Sequence, residues 1–186
     1  EKPEGAEWSP AFEYVTETRY QADGSGILDP AYSHIFVVPA EGGTPRQLTS
    51  GNYNHRSSLS WTPDSREIFF SANRNENWAL QSRESDIFAV STSGELRQLT
   101  TMPGVETGPR VSPDGTLIAY GKTDNEKLAY RNRYLHVIGI DGKNDRNLSA
   151  NIDNSLSGWV WDGNDGLHYQ LTSRGINEVR RVDLDG

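Results

Sequence analysis

Apolar and polar positions fall in short blocks along this chain, with no helical period. One set of blocks reads Glu67-Ile68-Phe69-Phe70-Ser71, Leu117-Ile118-Ala119-Tyr120-Gly121 and Leu167-His168-Tyr169-Gln170-Leu171. A second set follows it: Asp86-Ile87-Phe88-Ala89-Val90, Tyr134-Leu135-His136-Val137-Ile138 and Glu178-Val179-Arg180-Arg181-Val182. Short runs rich in β-branched and aromatic residues, bounded by turn residues, predict strands. Ile68-Phe69-Phe70 and Ile87-Phe88-Ala89-Val90 are apolar on successive residues, so both faces of those strands are expected to be covered. No window sustains the 3.6-residue period of an amphipathic helix, and almost no helix is expected.

The blocks recur with a fixed spacing. Trp61-Thr62-Pro63-Asp64-Ser65, Val111-Ser112-Pro113-Asp114-Gly115 and Trp161-Asp162-Gly163-Asn164-Asp165-Gly166 start 50 residues apart. Pro presets one angle of a tight turn, Asp bonds its own backbone and Gly accepts a positive φ, so each stretch joins adjacent antiparallel strands. Ser65 and the Asp162-Gly163-Asn164-Asp165 insertion depart from the turn consensus. A further short segment closes each repeat, ending in Gln47-Leu48-Thr49, Gln98-Leu99-Thr100 or Asn147-Leu148-Ser149. Each repeat is therefore four strands. A four-stranded sheet covered on both faces by similar sheets is a blade of a β-propeller.

The expected fold is all-β: a partial β-propeller of about three to four blades, with repeats at about 8–50, 57–100, 108–149 and 157–186. In the first repeat Trp8-Ser9-Pro10 is a worn copy of the turn. Phe12 to Tyr20 reads as a strand, Gln21 to Tyr32 as a loop, and His34 to Val38 as a strand. The last repeat stops level with Gly94 and Gly142, before a fourth strand. The end sheets of such an arc are expected to expose apolar faces and unpaired edges, which favours self-association.

Two polar connections, Asn73 to Ser85 and Lys122 to Arg133, are expected at the rim, where repeat proteins carry variation. Leu80 and Leu128 lie inside them. Trp78, Arg83 and Glu84 in the first, and Tyr130, Arg131 and Arg133 in the second, are the candidates for contact with a ligand. Aromatic and Arg residues are enriched at interfaces.

A net charge of −8 and a pI near 5.0 argue against nucleic acid as a partner. No apolar run is long enough to span a bilayer, and no signal-peptide pattern opens the chain. With no Cys there are no disulfides or thiolate metal sites, which suits a soluble domain of either cytoplasm or periplasm. The start at Glu1-Lys2-Pro3 fits a processed form or an excised piece.

No catalytic motif stands out in the sequence. Gly-x-Ser-x-Gly, the nucleophile elbow, is absent, and Gly24-Ser25-Gly26 has the wrong spacing. His34, His55, His136 and His168 stand singly, without metal-ligand spacing. Gly121-Lys122-Thr123 follows a strand without the glycine spacing or the helix of a phosphate loop. Asp162-Gly163-Asn164-Asp165-Gly166 lacks the alternating ligands and distal Glu of a calcium loop and reads as a hairpin turn. Asn147-Leu148-Ser149 is a glycosylation sequon by letter, but reads as a strand end. No cofactor or metal is implied.

Several strings resemble the N-terminal propeller of the prolyl oligopeptidase family of serine peptidases, in its acylaminoacyl-peptidase and dipeptidyl-peptidase branch. They are Arg19-Tyr20…Asp23-Gly24…Gly26, His34-Ile35-Phe36-Val37-Val38, Thr44-Pro45-Arg46-Gln47-Leu48-Thr49 and Val111-Ser112-Pro113-Asp114-Gly115-Thr116-Leu117-Ile118-Ala119-Tyr120. The Ser-Pro-Asp-Gly repeat also resembles TolB-like propellers. The resemblance implies a parent peptidase in which this propeller filters and orients peptides for an α/β-hydrolase domain that carries the Ser-His-Asp triad. That domain is absent from this sequence, so the chain alone is expected to be inert. The alternative is a non-catalytic, TolB-like propeller that binds a protein partner.

Overall fold

The computed structural model describes residues 3–7, 9, 12, 14–29, 31–55, 58–126 and 130–185. The chain divides into two compact units, residues 1–31 and 32–186. In the first, β1 (Gln21–Ala22) pairs with β2 (Gly26–Ile27). Asp23-Gly24-Ser25, part of the expected loop, is thus a hairpin turn, and Gly24 and Gly26 take φ of 77° and 71°. The expected strand from Phe12 to Tyr20 does not form among its described residues. Phe12 and Tyr14 stand exposed, so these aromatic side chains gain no burial to offset the entropy of extension. Trp8 and Pro10 of the worn turn, and Leu128 of the second connection, lie outside the described residues.

The second unit is a series of antiparallel sheets. β3 (Phe36–Val37) pairs with β4 (Arg46–Gln47). Next come a sheet of β5 (Ser60–Trp61), β6 (Glu67–Ala72), β7 (Asp86–Ser91) and β8 (Leu96–Gln98), and another of β9 (Val105–Val111), β10 (Leu117–Thr123), β11 (Tyr134–Gly139) and β12 (Arg146–Asn147). The last sheet holds β13 (Ser157–Asp162), β14 (Gly166–Ser173) and β15 (Ile176–Asp183). Each is a meander in sequence order, and no helix occurs among the described residues. The protein is all-β, a partial β-propeller.

The repeat holds residue by residue. Trp61 and Val111 end a first strand and Trp161 stands one residue before the end of another, paired with Ile68, Ile118 and Leu167 in turn. Thr62 Oγ1 and Ser112 Oγ each donate to the carboxylate two residues on, 2.6 Å away. Each hydroxyl also accepts from the amide that opens the second strand, that of Glu67 at 3.1 Å or Leu117 at 2.9 Å. Ser65 takes φ 58°, the conformation Gly115 adopts at φ 74°. The Leu-Thr and Leu-Ser endings have a comparable explanation. Thr49 Oγ1, Thr100 Oγ1 and Ser149 Oγ accept from the amides of Ile35, Ile87 and Leu135 at 2.9, 2.8 and 2.8 Å. One hydroxyl per repeat thus ties the end of the fourth strand to the third.

Successive sheets bury successive cores. Ile35 and Leu48 pack on Ile68, Phe70 and Phe88. Phe69, Ile87 and Ala89 on the opposite face meet Ile118, Tyr120 and Ile138. Ala119, Leu135 and Val137 then meet Trp159, Leu167, Tyr169 and Leu171. Each large side chain so buried is worth about 1.5–3 kcal/mol. Because β6 and β10 are buried on both faces, their apolar residues run consecutively. A polar clamp repeats beside each core. Arg46 donates to the Thr92 carbonyl, Arg97 to that of Ile140 at 3.2 Å, and Arg146 to that of Leu184 at 2.8 Å.

The last sheet differs on its far face. Phe69 pairs with Ala89 and Ala119 with Val137, all fully buried, but the equivalent pair is His168 with Arg181. Gln170 and Thr172 continue that exposed face, and Val160 and Val179 are its apolar members. The expected apolar end is therefore largely polar here. Arg181 is held by Asp162, at 2.6 Å from its Nε, by Asp183, and by Asp165 at 3.8 Å. The carboxylates of the acidic turn thus already face a cation, and the turn serves as the hairpin between β13 and β14.

Candidate functional site

Both polar connections belong to the second unit, and they meet. Ser85 pairs in parallel with Val105, and its amide donates to the Gly104 carbonyl at 3.0 Å. Glu84 fastens the junction: Oε2 accepts from the Gly104 amide at 3.0 Å and Oε1 from Asn125 Nδ2 at 2.7 Å. A groove of about 700 Å³ opens beside this junction, lined by Leu80, Arg83, Glu84, Asp86, Met102 and Asn125 among others. Arg83 is exposed and has no ion pair among the described residues. Asp86 opens β7 and is half-buried. Burial first, and the Glu84 carboxylate second, push its pKa up to about 6, against the hydrogen bond from Gln98.

The six residues singled out from the sequence divide into three groups. Arg83 and Glu84 line the groove. Arg133 lines a separate pocket of about 400 Å³ with Arg110 and Trp159. The other three line neither. Trp78 is half-buried, edge-on to Tyr32 with ring centroids 6.2 Å apart. Arg131 is held by Asp124 at 3.0 Å and by Glu126, and Tyr130 is 94% exposed. Asp86, Met102 and Asn125 escape sequence reading because they sit in separate segments that only strand pairing brings together.

Three of the four histidines, His34, His55 and His136, are held in structural contacts, and His168 is exposed. The His34 and His55 rings lie 5.3 Å apart between centroids, tilted by 34°, and His55 Nε2 lies 2.6 Å from Arg74 Nη1. His136 Nδ1 is 3.1 Å from Asp145, which also accepts from the Tyr120 hydroxyl at 2.7 Å. That trio carries no serine nucleophile. Among the described residues no group of three or more His, Asp or Glu is arranged to hold a metal.

The repeated sheets match known proteins. Residues 11–115 match the family described as the dipeptidyl peptidase IV (DPP IV) N-terminal region, and the chain belongs to it. An uncharacterized protein of Agrobacterium fabrum is 31% identical over 93 residues, 49% of this chain and 28% of that protein. Solved structures share the fold, two of them as follows. TolB from Acinetobacter baumannii aligns at TM-score 0.60 and 18% identity, over 80% of this chain and 34% of its own. A puromycin-hydrolyzing peptidase of Mycobacterium tuberculosis aligns at TM-score 0.63 and 16% identity, over 83% of this chain and 26% of its own. This chain therefore spans about a quarter to a third of the length of each of these relatives.

Proposed function

We propose that this chain is the propeller portion of a prolyl oligopeptidase-type serine peptidase of the acylaminoacyl or dipeptidyl branch. There it admits peptides to, and orients them for, an α/β-hydrolase domain that carries the catalytic triad. By itself it is inert. Membership of the DPP IV N-terminal region family supports this reading, and the groove adds to it. Glu84 and Asp86 offer negative charge to a peptide amine, Arg83 offers a cation to a carbonyl or carboxylate, and Leu80 and Met102 offer apolar contact.

The purified chain is expected to leave aminoacyl and acylaminoacyl chromogenic peptides intact, and turnover would overturn its inertness. In the parent peptidase, Arg83→Ala is expected to raise KM for short peptides with little change in kcat. An unchanged KM removes Arg83 from the role. The coding sequence after residue 186 separates this reading from a TolB-like scaffold. A Gly-x-Ser-x-Gly hydrolase there supports the peptidase, and further propeller followed by a stop supports the scaffold.

A further inference from the structure

The other concavity has chemistry that the peptidase reading does not use. β9 and β13 each carry one extra residue opposite their second strands. The register passes from Arg110–Ala119 to Thr107–Gly121, and from Val160–His168 to Ser157–Gln170. Gly108 and Gly158, 50 residues apart, lie in these bulges with φ of 63° and 59°. Bulges re-aim side chains and recur beside binding sites. Ser58 stands 50 residues before Gly108, and all three positions line the same pocket of about 400 Å³. The pocket is therefore built by the repeat itself, from equivalent places in three repeats.

Its charge is opposite to that of the chain. The whole sequence carries −8, yet no carboxylate is among the described residues that line the pocket. Arg110 and Arg133 both line it, and neither has an acidic partner among the described residues. Arg110 Nη1 donates to the neighbouring Pro109 carbonyl at 3.2 Å. Thr107 Oγ1 is buried with no hydrogen-bond partner among the described residues, which is unfavourable unless something fills the place. The supports are rigid. Trp159 Nε1 donates to the Gly108 carbonyl at 2.9 Å, and its ring packs so closely on Gly121 that a Cβ there would come within 2.5 Å. The Arg133 stem lies over the same glycine.

We infer that this pocket binds a carboxylate, with the Arg110 and Arg133 guanidiniums as its counter-ions and Thr107 Oγ1 as a donor beside them. Planar guanidinium forks match a carboxylate in two-point geometry, and they do so better than a point charge can. The volume suits a small acid or the last residue of a peptide, with the Trp159 ring as the apolar wall. The inference is independent of the peptidase reading, since it needs no hydrolase domain.

Calorimetric titration of the chain with hippurate, hippuramide, inorganic phosphate, and an acetylated tripeptide as free acid and as amide tests it. Acids are expected to bind at least about tenfold tighter than their amides, with affinity falling as salt rises. Arg133→Lys keeps the stem and the charge but loses the fork, and should weaken acid binding about tenfold. Thr107→Val should weaken it several-fold and stands in if the Arg133 variant fails to fold, which its melting curve reports. Preference for the tripeptide acid over hippurate identifies a peptide end as the ligand, and the reverse identifies a small acid. Equal binding of acid and amide, phosphate as tight as either acid, no binding at millimolar concentration, or unaltered binding in folded variants would each overturn the site.

Discussion

Glu106 and Lys122 stand directly opposite each other on β9 and β10, with Nζ 3.6 Å from Oε1 and the Glu106 side chain wholly buried. Thr100 and Lys122 are the groups beside that carboxylate that favour its charged form. Lys122 Nζ also lies 3.4 Å from Met102 Sδ, and the Asp86 carboxylate adds repulsion. A single lysine thus faces two acids at the junction between sheets. Burial is the main cause that pushes the Glu106 pKa up to about 7 from an ordinary 4.5, against the pull of Thr100 and then of Lys122.

The sign of the pH effect follows. The folded chain holds a proton on Glu106 that the unfolded chain has released, so stability falls as pH rises from about 4.5 to about 7 and levels off above. A shift of that size corresponds to about 3 kcal/mol. Asp86, also raised, acts in the same direction at lower pH. Urea melts at pH 5 and pH 8 should show higher stability at pH 5. Glu106→Gln should remove most of the difference between pH 6 and pH 8. An unchanged pH profile in that variant would show that Glu106 does not carry the effect.

Ser65 holds a left-handed conformation that Gly115 holds at the equivalent turn. A non-glycine residue there costs about 1–2 kcal/mol, against about 0.4–1 kcal/mol of extra unfolded-state entropy for glycine. Ser65→Gly should therefore raise stability by up to about 1 kcal/mol, read from the urea midpoint. A loss of stability would mean that the serine side chain contributes more than its backbone costs.

Ser149 Oγ is the acceptor for the Leu135 amide, and Leu135 is fully buried. Ser149→Ala leaves that amide without its side-chain acceptor, and should cost about 1–3 kcal/mol. Ser149→Thr restores the hydroxyl used at Thr49 and Thr100, and should recover most of the loss. Equal destabilisation by both substitutions would refute the capping role.

Arg97 grips Glu67 with two hydrogen bonds of 2.9 Å, reaches the Ile140 carbonyl, and covers the Phe69 ring with its guanidinium 5.3 Å from the centroid. The site is part-buried, so Arg97→Met, which keeps the stem, is expected to cost about 1–2 kcal/mol. The urea midpoint of the variant measures it. A midpoint equal to that of the parent chain would reduce the clamp to a surface contact.

Much of this architecture can be read from the letters, because the repeat writes the same physics at the same spacing. The turn hydroxyl and carboxylate, the Leu-Thr endings and the doubly apolar second strands each mark their structural role. The polar far face of β14 is also written in the chain: Leu167-His168-Tyr169-Gln170-Leu171 alternates where Ile68-Phe69-Phe70 does not. Phe12 to Tyr20 misleads because strand propensity carries no information about whether a partner strand is present. The candidate residues scatter for a related reason. Arg83, Arg131 and Arg133 look alike in sequence, but register decides which meets an acid, which a groove and which a second arginine. The buried meeting of Glu106 and Lys122 likewise depends on a bulge that shifts the pairing of β9 with β10 by one residue.

Amide hydrogen exchange of the intact chain tests the stacked-sheet account most directly. Sheets covered on both faces should open only on global unfolding, so the slowest amides should fall at 68–71, 87–90, 118–121 and 135–138. The exposed strand β15 should exchange faster, and residues 14–20 fastest of all. Uniform protection across 14–20 and 176–183, or exchange in β6 and β10 as rapid as in the 73–85 connection, would contradict the arrangement.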